Sequence, residues 1–271
     1  MERRILTCGG CGGRIAFRIE DAAAACVFCG APSLTPSTNE EQVPEPELHV
    51  PLAVDTDAAT AIFHEHAQGS WFRPRALHDA TLELRTVLLP AWYVHCDIET
   101  HYAGLVHARS PSGKAPRAGV ERASLDHLVP ASGAISSPEL NELRPFDLDQ
   151  AIAWDPSAAS VRMEIPECTE SKARSVASEI FRAHHLQSIN NQHSLFKSEG
   201  SSVISTRRCE LMLLPVHICA VRFRDRPWRV LVNARTGELI GTLPWDRVKI
   251  SAVVLAAILM ALGIWTFVIG A

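Results

Sequence analysis

Four cysteines near the start of the chain have the types and spacing of a metal site. Cys8 and Cys11 form one C-x-x-C pair, and Cys26 and Cys29 form a second pair 14 residues further on. Two such pairs on tight turns are typical of tetrahedral zinc sites with four thiolate ligands. Glycines flank both pairs, and they allow the sharp turns that direct backbone N–H groups at sulfur. We predict one Zn²⁺ per chain at these four residues.

The predicted site is structural rather than catalytic. Four thiolates fill every coordination position, so none is left for a reacting water. A disulfide framework is the rival interpretation, but no apolar signal segment follows Met1 to Leu6, and a cytosolic compartment is reducing. A redox C-x-x-C would need a βαβ context that the sequence lacks. Because a ribbon of about 30 residues cannot build a sufficient core, metal binding would supply most of its folding free energy.

The remaining cysteines and the histidines give weaker signals. A second metal site made of His95, Cys96 and His101 is conceivable, but a strand would place the two histidines on one face and the cysteine on the other. His184 and His185 are interpreted as surface residues of a helix. The other cysteines share no short spacing and are interpreted as small buried hydrophobes: Cys96, Cys168, Cys209 and Cys219.

The end of the chain predicts a membrane anchor. Residues 250–271 contain no charge and no proline, and as a helix they would span roughly 33 Å, against about 30 Å for a hydrocarbon core. A buried core helix of this length would normally keep a polar stripe. Arg247 and Lys249 directly precede the segment, so the positive-inside bias puts the bulk of the chain in the cytoplasm. We therefore predict a single-pass, tail-anchored protein of the inner (cytoplasmic) membrane, with the lipid bilayer as one partner.

Composition and patterning divide the chain into four parts. We predict a zinc ribbon at 1–30, a flexible linker rich in proline and acidic residues at 31–48, an α+β body at 49–246, and the transmembrane helix at 250–271. The linker is expected to uncouple the ribbon from the body.

Within the body the pattern predicts two helices and several antiparallel strands. One helix follows Thr56 and ends at Gly69, and another covers 169–187. Residues 109–124 are predicted to be a mobile loop. The triplet Leu-Leu-Pro occurs at 88–90 and again at 213–215, each time after a helical segment. This repeat fits either a duplicated helix-plus-sheet unit or a single α+β domain. The strands are expected within 87–104, 208–223, 228–233 and 238–241.

The chain resembles a group of bacterial membrane proteins known as transcription factor IIB-type zinc-ribbon proteins, often loosely labelled primosomal helicase-like. The resemblance rests on the cysteine pairs, the linker, the apolar end, and the segments WFRP, LLPAWYV, PFDL and RVLVNARTGELIG. It implies no defined activity, and for some members it implies a membrane platform that recruits scaffold proteins of a stress response. The helicase label does not fit, because the chain has no G-x-x-x-x-G-K-[ST] phosphate loop.

Three classes of function remain to be weighed. A membrane-anchored, non-enzymatic adaptor with an unidentified cytoplasmic protein partner fits the architecture best. A membrane-tethered nucleic-acid-binding ribbon is the alternative, but residues 1–30 carry a net charge of +1, which becomes −1 with four thiolates on Zn²⁺ and disfavours phosphate binding. An enzyme is disfavoured because no nucleophile motif, H-E-x-x-H or phosphate loop is present. No small-molecule substrate is evident. The net charge of −4 also argues against bulk binding of polyanions.

Overall fold

Two very long strands form the centre of the protein. In the computed structural model, β5 (Glu83–His107) and β9 (Phe196–Phe223) run antiparallel and pair along almost their full length. Hairpin partners flank them: β6 (Lys114–Pro130) pairs with β5, and β10 (Arg226–Asn233) pairs with β9. The structure describes residues 3–10, 14–18, 26, 31–36, 44–78, 80, 82–108, 113–155, 162–223 and 226–269.

The remaining elements cover the sheet or extend its edges, and they confirm a mixed α+β fold with a sheet-rich body. The helices are α1 (Thr56–Gln68), α2 (Ser137–Glu142), α3 (Glu170–His193) and α4 (Arg247–Ile269). The short strands are β1 (Arg3–Cys8), β2 (Arg14–Arg18), β3 (Leu34–Pro36), β4 (Leu48–His49), β7 (Ile152–Ala153), β8 (Arg162–Glu164) and β11 (Leu239–Gly241).

The body repeats one arrangement twice around a pseudo-twofold axis. The first unit is β4-α1-β5-β6 and the second is β8-α3-β9-β10. The axis passes between Leu89 and Leu214, the central residues of the two Leu-Leu-Pro triplets, which face each other in the antiparallel register. The repeated triplet therefore marks equivalent positions in two similar units, as the duplicated-unit interpretation expects.

Each unit gives its first strand to the other unit. The strand β4 runs parallel to β9 at Met212 and Leu213, and β8 runs parallel to β5 at Val87 and Leu88, the equivalent positions 125 residues earlier. The turns after these strands also match. Ala53 N and Val54 N donate to Ala234 O, while Glu167 N and Cys168 N donate to Ala131 O. The exchange makes the two units depend on each other for their sheet hydrogen bonds.

Side chains alternate between the two faces of the central sheet, and each face has its own cover. On one face α3 packs over Trp92, Val94 and Ile98, and α1 packs over the other end of the long strands. On the opposite face a third cluster includes Leu89, Leu214 and Leu140 of α2. Small residues on the inner side of α3, such as Ala173 and Ala177, let that helix approach the strands closely.

The segment predicted to be a mobile loop is a regular strand. Residues 114–124 belong to β6 and pair with β5 as far as His107; residues 109–112 lie outside the described part. The prediction was wrong because the segment is polar and contains Pro116 and Gly119. Such residues are tolerated here since β6, among the described strands, pairs with β5 alone and leaves its other edge free.

The described ends of the predicted linker also differ from the prediction. Residues 34–36 form β3, which pairs with β1, and residues 48–49 form β4 inside the body sheet. In addition, β2 pairs with β8 at Ile15 and Glu164, so the N-terminal strands continue the sheet of the body instead of being uncoupled from it. Residues 37–43 of the predicted linker lie outside the described part.

Candidate functional site

The pairing of β1 with β3 places Cys8 beside the segment that follows the second cysteine pair in the chain. Cys8 is the last residue of β1 and lies opposite Leu34, which follows the second pair in the chain. Gly9 N donates to Ser33 O at 3.0 Å, and Cys26 N donates to Ala31 O at 2.8 Å. The first bond joins the end of β1 to residues 31–33, and the second joins those residues to Cys26.

Cys8 and Cys26 are both buried, and a backbone N–H group points at the sulfur of Cys8. Each is almost completely buried, and both belong to the same core cluster. Gly10 N donates to Cys8 Sγ at 3.3 Å, the kind of N–H···S bond that supports a zinc-bound thiolate. The donor set predicted from the sequence therefore fits zinc at these two residues. Cys11 and Cys29 lie outside the described residues, and among the described ones no three metal-ligating side chains cluster.

The cysteine segment is docked on the central sheet by a charged side chain. Arg85 of β5 donates from Nη1 to the backbone carbonyl of Cys26 and pairs through Nη2 with Glu83 at 3.1 Å. Directly after β8, Ile165 N donates to Arg14 O of β2 at 3.0 Å. A metal centre here would join the N-terminal strands to the body core.

Beside this segment lies Glu164, a carboxyl group that sequence reasoning did not single out. Its Oε1 accepts from Gly133 N and Ala134 N, each at 3.2 Å, while Oε2 is buried without a hydrogen-bond partner. Burial raises the pKa of Glu164 to about 7, although bonds from Ser132 and Ala134 act in the opposite direction. In the pseudo-symmetric unit the equivalent residue is the core residue Val50. No local sequence signal marks Glu164, because its surroundings are set by the pairing of β8 with β5 and β2.

The other cysteines behave as core residues to different degrees. Cys96 and Cys219 are fully buried, and burial raises their pKa values to about 11 and about 12. Cys168 and Cys209 are half-buried, and burial raises both pKa values as well. These thiols stay protonated at neutral pH. Cys96 faces α3, whereas His95 bonds Ser124 and His101 bonds Glu99 on the opposite face.

One histidine predicted to lie on a helix surface is instead part of a buried polar chain. His185 is 5% exposed, and its Nδ1 lies 2.8 Å from Thr100 Oγ1, which lies 2.7 Å from Ser202 Oγ. The prediction was wrong because His185 lies on the buried stripe of α3, four residues after Phe181 and four before Ile189. The chain satisfies polar groups between α3 and the strands.

The outer face of the long strands carries a shallow groove of about 620 Å³, lined in part by paired charges. Asp97 bonds Arg207 at 2.6 Å, and Glu99 bonds Arg122 at 2.7 Å. Those arginine contacts lower the pKa of both carboxyl groups. Both groups therefore remain ionised at neutral pH and are poorly suited to general acid catalysis.

The start of α4 is bonded to the loop that follows α1. Asp246 N donates to Phe72 O at 2.8 Å, and Lys249 Nζ donates to Trp71 O and Arg73 O at 2.8 and 2.9 Å. Arg73 Nη1 returns a bond to Leu243 O at 2.8 Å. We call residues 70–75 together with residues 243–249 the collar.

Beyond the collar, α4 extends away from the body. The segment Arg247–Trp265 has a mean hydropathy of 2.3 and none of it is buried, so one helix among the described residues is long and apolar enough to cross a membrane. No family model, curated protein or solved structure matches this chain.

Proposed function

We propose that this protein is a non-enzymatic adaptor, held in the cytoplasmic membrane by α4, that presents its cytoplasmic α+β body to a protein partner. The observation that carries the proposal is α4 itself. An apolar helix with no buried residue would be insoluble beside this body in water, whereas a bilayer would satisfy it. Arg247 and Lys249 at its start favour a cytoplasmic body.

The shape of the sheet supports a role in reaching a partner. The cluster that includes Leu243 lies where β5 begins, so α4 leaves the body near that end. The far parts of β5, β6 and β9, residues 96–107, 114–125 and 196–206, form what we call the arm. At about 3.3 Å per residue the 25 residues of β5 span roughly 80 Å. The arm therefore extends well away from the collar.

We further propose that Cys8, Cys11, Cys26 and Cys29 hold one structural Zn²⁺. Support comes from the buried positions of Cys8 and Cys26 and from the N–H···S bond at Cys8. The ion would close the N-terminal turns over the body core. The family resemblance suggests scaffold proteins of a stress response as the class of partner.

Membrane attachment is tested by removing residues 250–271 and fractionating cells. The truncated chain is expected in the soluble fraction, since the deleted segment is the apolar one. Gly263→Ala is the matched control, because a Cβ at Gly263 meets no atom within 4 Å, and this variant is expected to stay in the membrane. Retention of the truncated chain in the membrane would contradict the anchor.

Partner binding is tested by crosslinking in intact cells followed by purification from membranes. The arm exposes Val203, which is 65% exposed, and Val203→Arg is expected to abolish a crosslinked band that the wild type gives. Leu52→Arg, at another exposed apolar position, is the control and should keep the band. An adaptor role fails if the wild type gives no specific crosslink.

A further inference from the structure

The collar places two tryptophans on the surface beside the start of the apolar helix. Trp71 is 62% exposed and Trp245 is 54% exposed, although a residue of this size is usually largely buried. Trp71 packs edge-on against Phe72, and the guanidinium of Arg73 lies 4.9 Å from the centre of the Trp245 ring. These contacts fix the two indoles without covering them.

Lys249 fixes the height of Trp71 relative to α4. Lys249 Nζ bonds the carbonyl of Trp71 and lies 5.4 Å from the centre of its ring. Lys249 directly precedes the apolar run, and one residue of helix rises about 1.5 Å. If α4 spans the membrane from Ile250 onward, Trp71 is therefore held at the boundary between hydrocarbon and headgroups.

The charges around the two indoles suit anionic headgroups. Two exposed residues of the collar, Arg75 and Arg247, are basic. The carboxylate of Asp246 is engaged by the helix itself, since its Oδ1 accepts from Val248 N at 3.1 Å and Lys249 N at 3.4 Å. Indoles at headgroup depth beside basic side chains are the features of an interfacial membrane contact.

We infer that the collar is a second membrane-binding surface, which takes the headgroups of anionic phospholipids in the leaflet where α4 begins. Trp71 and Trp245 enter the interface, and Arg75 and Arg247 bind lipid phosphates. This inference rests on the proposed span of α4. Its consequence is that the body does not swivel on its anchor: two contacts with the bilayer hold the arm in one orientation.

The experiment measures tryptophan fluorescence of the full chain in vesicles of phosphatidylcholine with phosphatidylglycerol, using lipids brominated near the headgroup or near the chain ends. The emission of a single residue is taken as the difference between the wild type and its Trp→Phe variant. We expect lipids brominated near the headgroup to quench Trp71, and this quenching to be lost in Trp71→Phe. Trp154, which packs against His49 at β7, is the control and should not be quenched.

The charge contribution is tested with Arg75→Gln/Arg247→Gln. In the wild type, replacing phosphatidylglycerol with phosphatidylcholine is expected to weaken the quenching of Trp71. In the double variant the quenching should become independent of lipid charge. Equal quenching of the wild type in both lipids would overturn the proposed recognition of anionic headgroups.

Trp265 separates failure of this inference from failure of the anchor. It lies within α4, so lipids brominated near the chain ends are expected to quench it if the helix spans the bilayer. Quenching of Trp265 with none of Trp71 would refute the collar as a membrane contact and leave the anchor intact. Absence of quenching at both residues would refute the anchor as well.

Discussion

At the scale of single residues, Glu164 is the strongest departure from an ordinary core. Its carboxyl group is fully buried and lies where the equivalent position of the other unit holds Val50. The pKa is raised from 4.5 to about 7, so the folded state binds its proton more tightly than the unfolded state does. Its contribution to the free energy of unfolding therefore falls as the pH rises from about 4.5 to about 7 and stays low above that range.

We predict that Glu164→Gln stabilises the protein at pH 8 and has little effect near pH 4.5. The neutral amide keeps an acceptor for Gly133 N and Ala134 N but carries no buried charge. The gain at pH 8 is expected to be on the order of 2–3 kcal/mol. Urea unfolding of the full chain in detergent at several pH values measures the difference between the two proteins.

The neighbouring exposed carboxylate supplies the control. Glu167 also lies beside Gly133, but it is exposed. Its charge contributes to the raised pKa of Glu164, so Glu167→Gln is expected to stabilise the protein at pH 8 far less than Glu164→Gln does. A Glu164→Gln variant that is no more stable than the wild type at pH 8 would show that the carboxylate is charged and satisfied in the fold.

Histidines give the wild type an opposing pH dependence. Burial lowers the pKa of His217, whose Nε2 donates to Val54 O at 2.8 Å, and burial also lowers the pKa values of His127 and His185. A histidine whose pKa is lower in the folded state than in the unfolded state contributes stability that is present above about pH 6.5 and is lost as the pH falls. Protonation of Glu164 stabilises the folded state as the pH falls and so partly offsets this loss. Glu164→Gln removes that offset and should make the protein more sensitive to acid.

At the scale of elements, two ring N–H groups in equivalent positions anchor the starts of α1 and α3. Trp92 Nε1 donates to Cys168 O and His217 Nε2 donates to Val54 O, both at 2.8 Å. Each accepting carbonyl directly precedes the residue whose side chain caps the helix, Thr169 or Asp55. The long strand of each unit thus fixes the point at which the other unit's helix begins.

We predict that Trp92→Phe lowers the free energy of unfolding by about 2–4 kcal/mol, because it leaves the carbonyl of Cys168 unsatisfied and opens space under α3. Trp154→Phe, a change of the same type at a half-buried residue, should cost clearly less. Urea unfolding at pH 8 compares the two variants. Equal losses would mean that the indole bond does not hold the helix start.

Elements with a strong local pattern could be predicted from the sequence, whereas those defined by distant pairing could not. The helices α1 and α4 follow from their periodicity, their caps or their continuous apolar run. The strands β4 and β8 are two and three residues long and take their form from pairing with β9 and β5. No local signal marks such segments, and β6 was missed because an edge strand can be as polar as a loop.

The residues of the candidate sites also divide into those with a local sequence signal and those whose position depends on distant contacts. The cysteine spacing predicts a zinc site because ligand spacing is a local property of the chain, and that site stays a prediction; the structure adds that Cys8 and Cys26 are buried. Glu164 could not be predicted, since its burial depends on long-range packing that overrides the usual exposure of a charged residue. His185 had a local signal, because it lies four residues after Phe181 on the buried stripe of α3.

At the scale of the whole molecule, the exchange of β4 and β8 couples the two units, and β2 couples the cysteine segment to both. The strand β8 lies between β5 and β2 in the sheet order. A disturbance at the cysteines can therefore pass through β2 and β8 to the central strands, because each strand satisfies the backbone groups of its neighbour. The protein should unfold as one cooperative unit rather than as a ribbon followed by a body.

We predict that the full chain binds one zinc ion and that a zinc chelator lowers the urea midpoint of the entire protein. The loss should appear equally in far-ultraviolet circular dichroism and in tryptophan fluorescence, to which the buried Trp92 contributes, because a single transition reports on all of the sheet. Cys29→Ser should abolish zinc binding and reproduce the effect of the chelator. Cys168→Ser, at a half-buried cysteine outside the four predicted ligands, should retain the ion and the midpoint.

Two outcomes would contradict this prediction. A chain that contains no zinc as purified and is unaffected by the chelator would remove the metal from the proposal. A metal-dependent loss seen by only one of the two probes would show that the cysteine segment folds independently of the body.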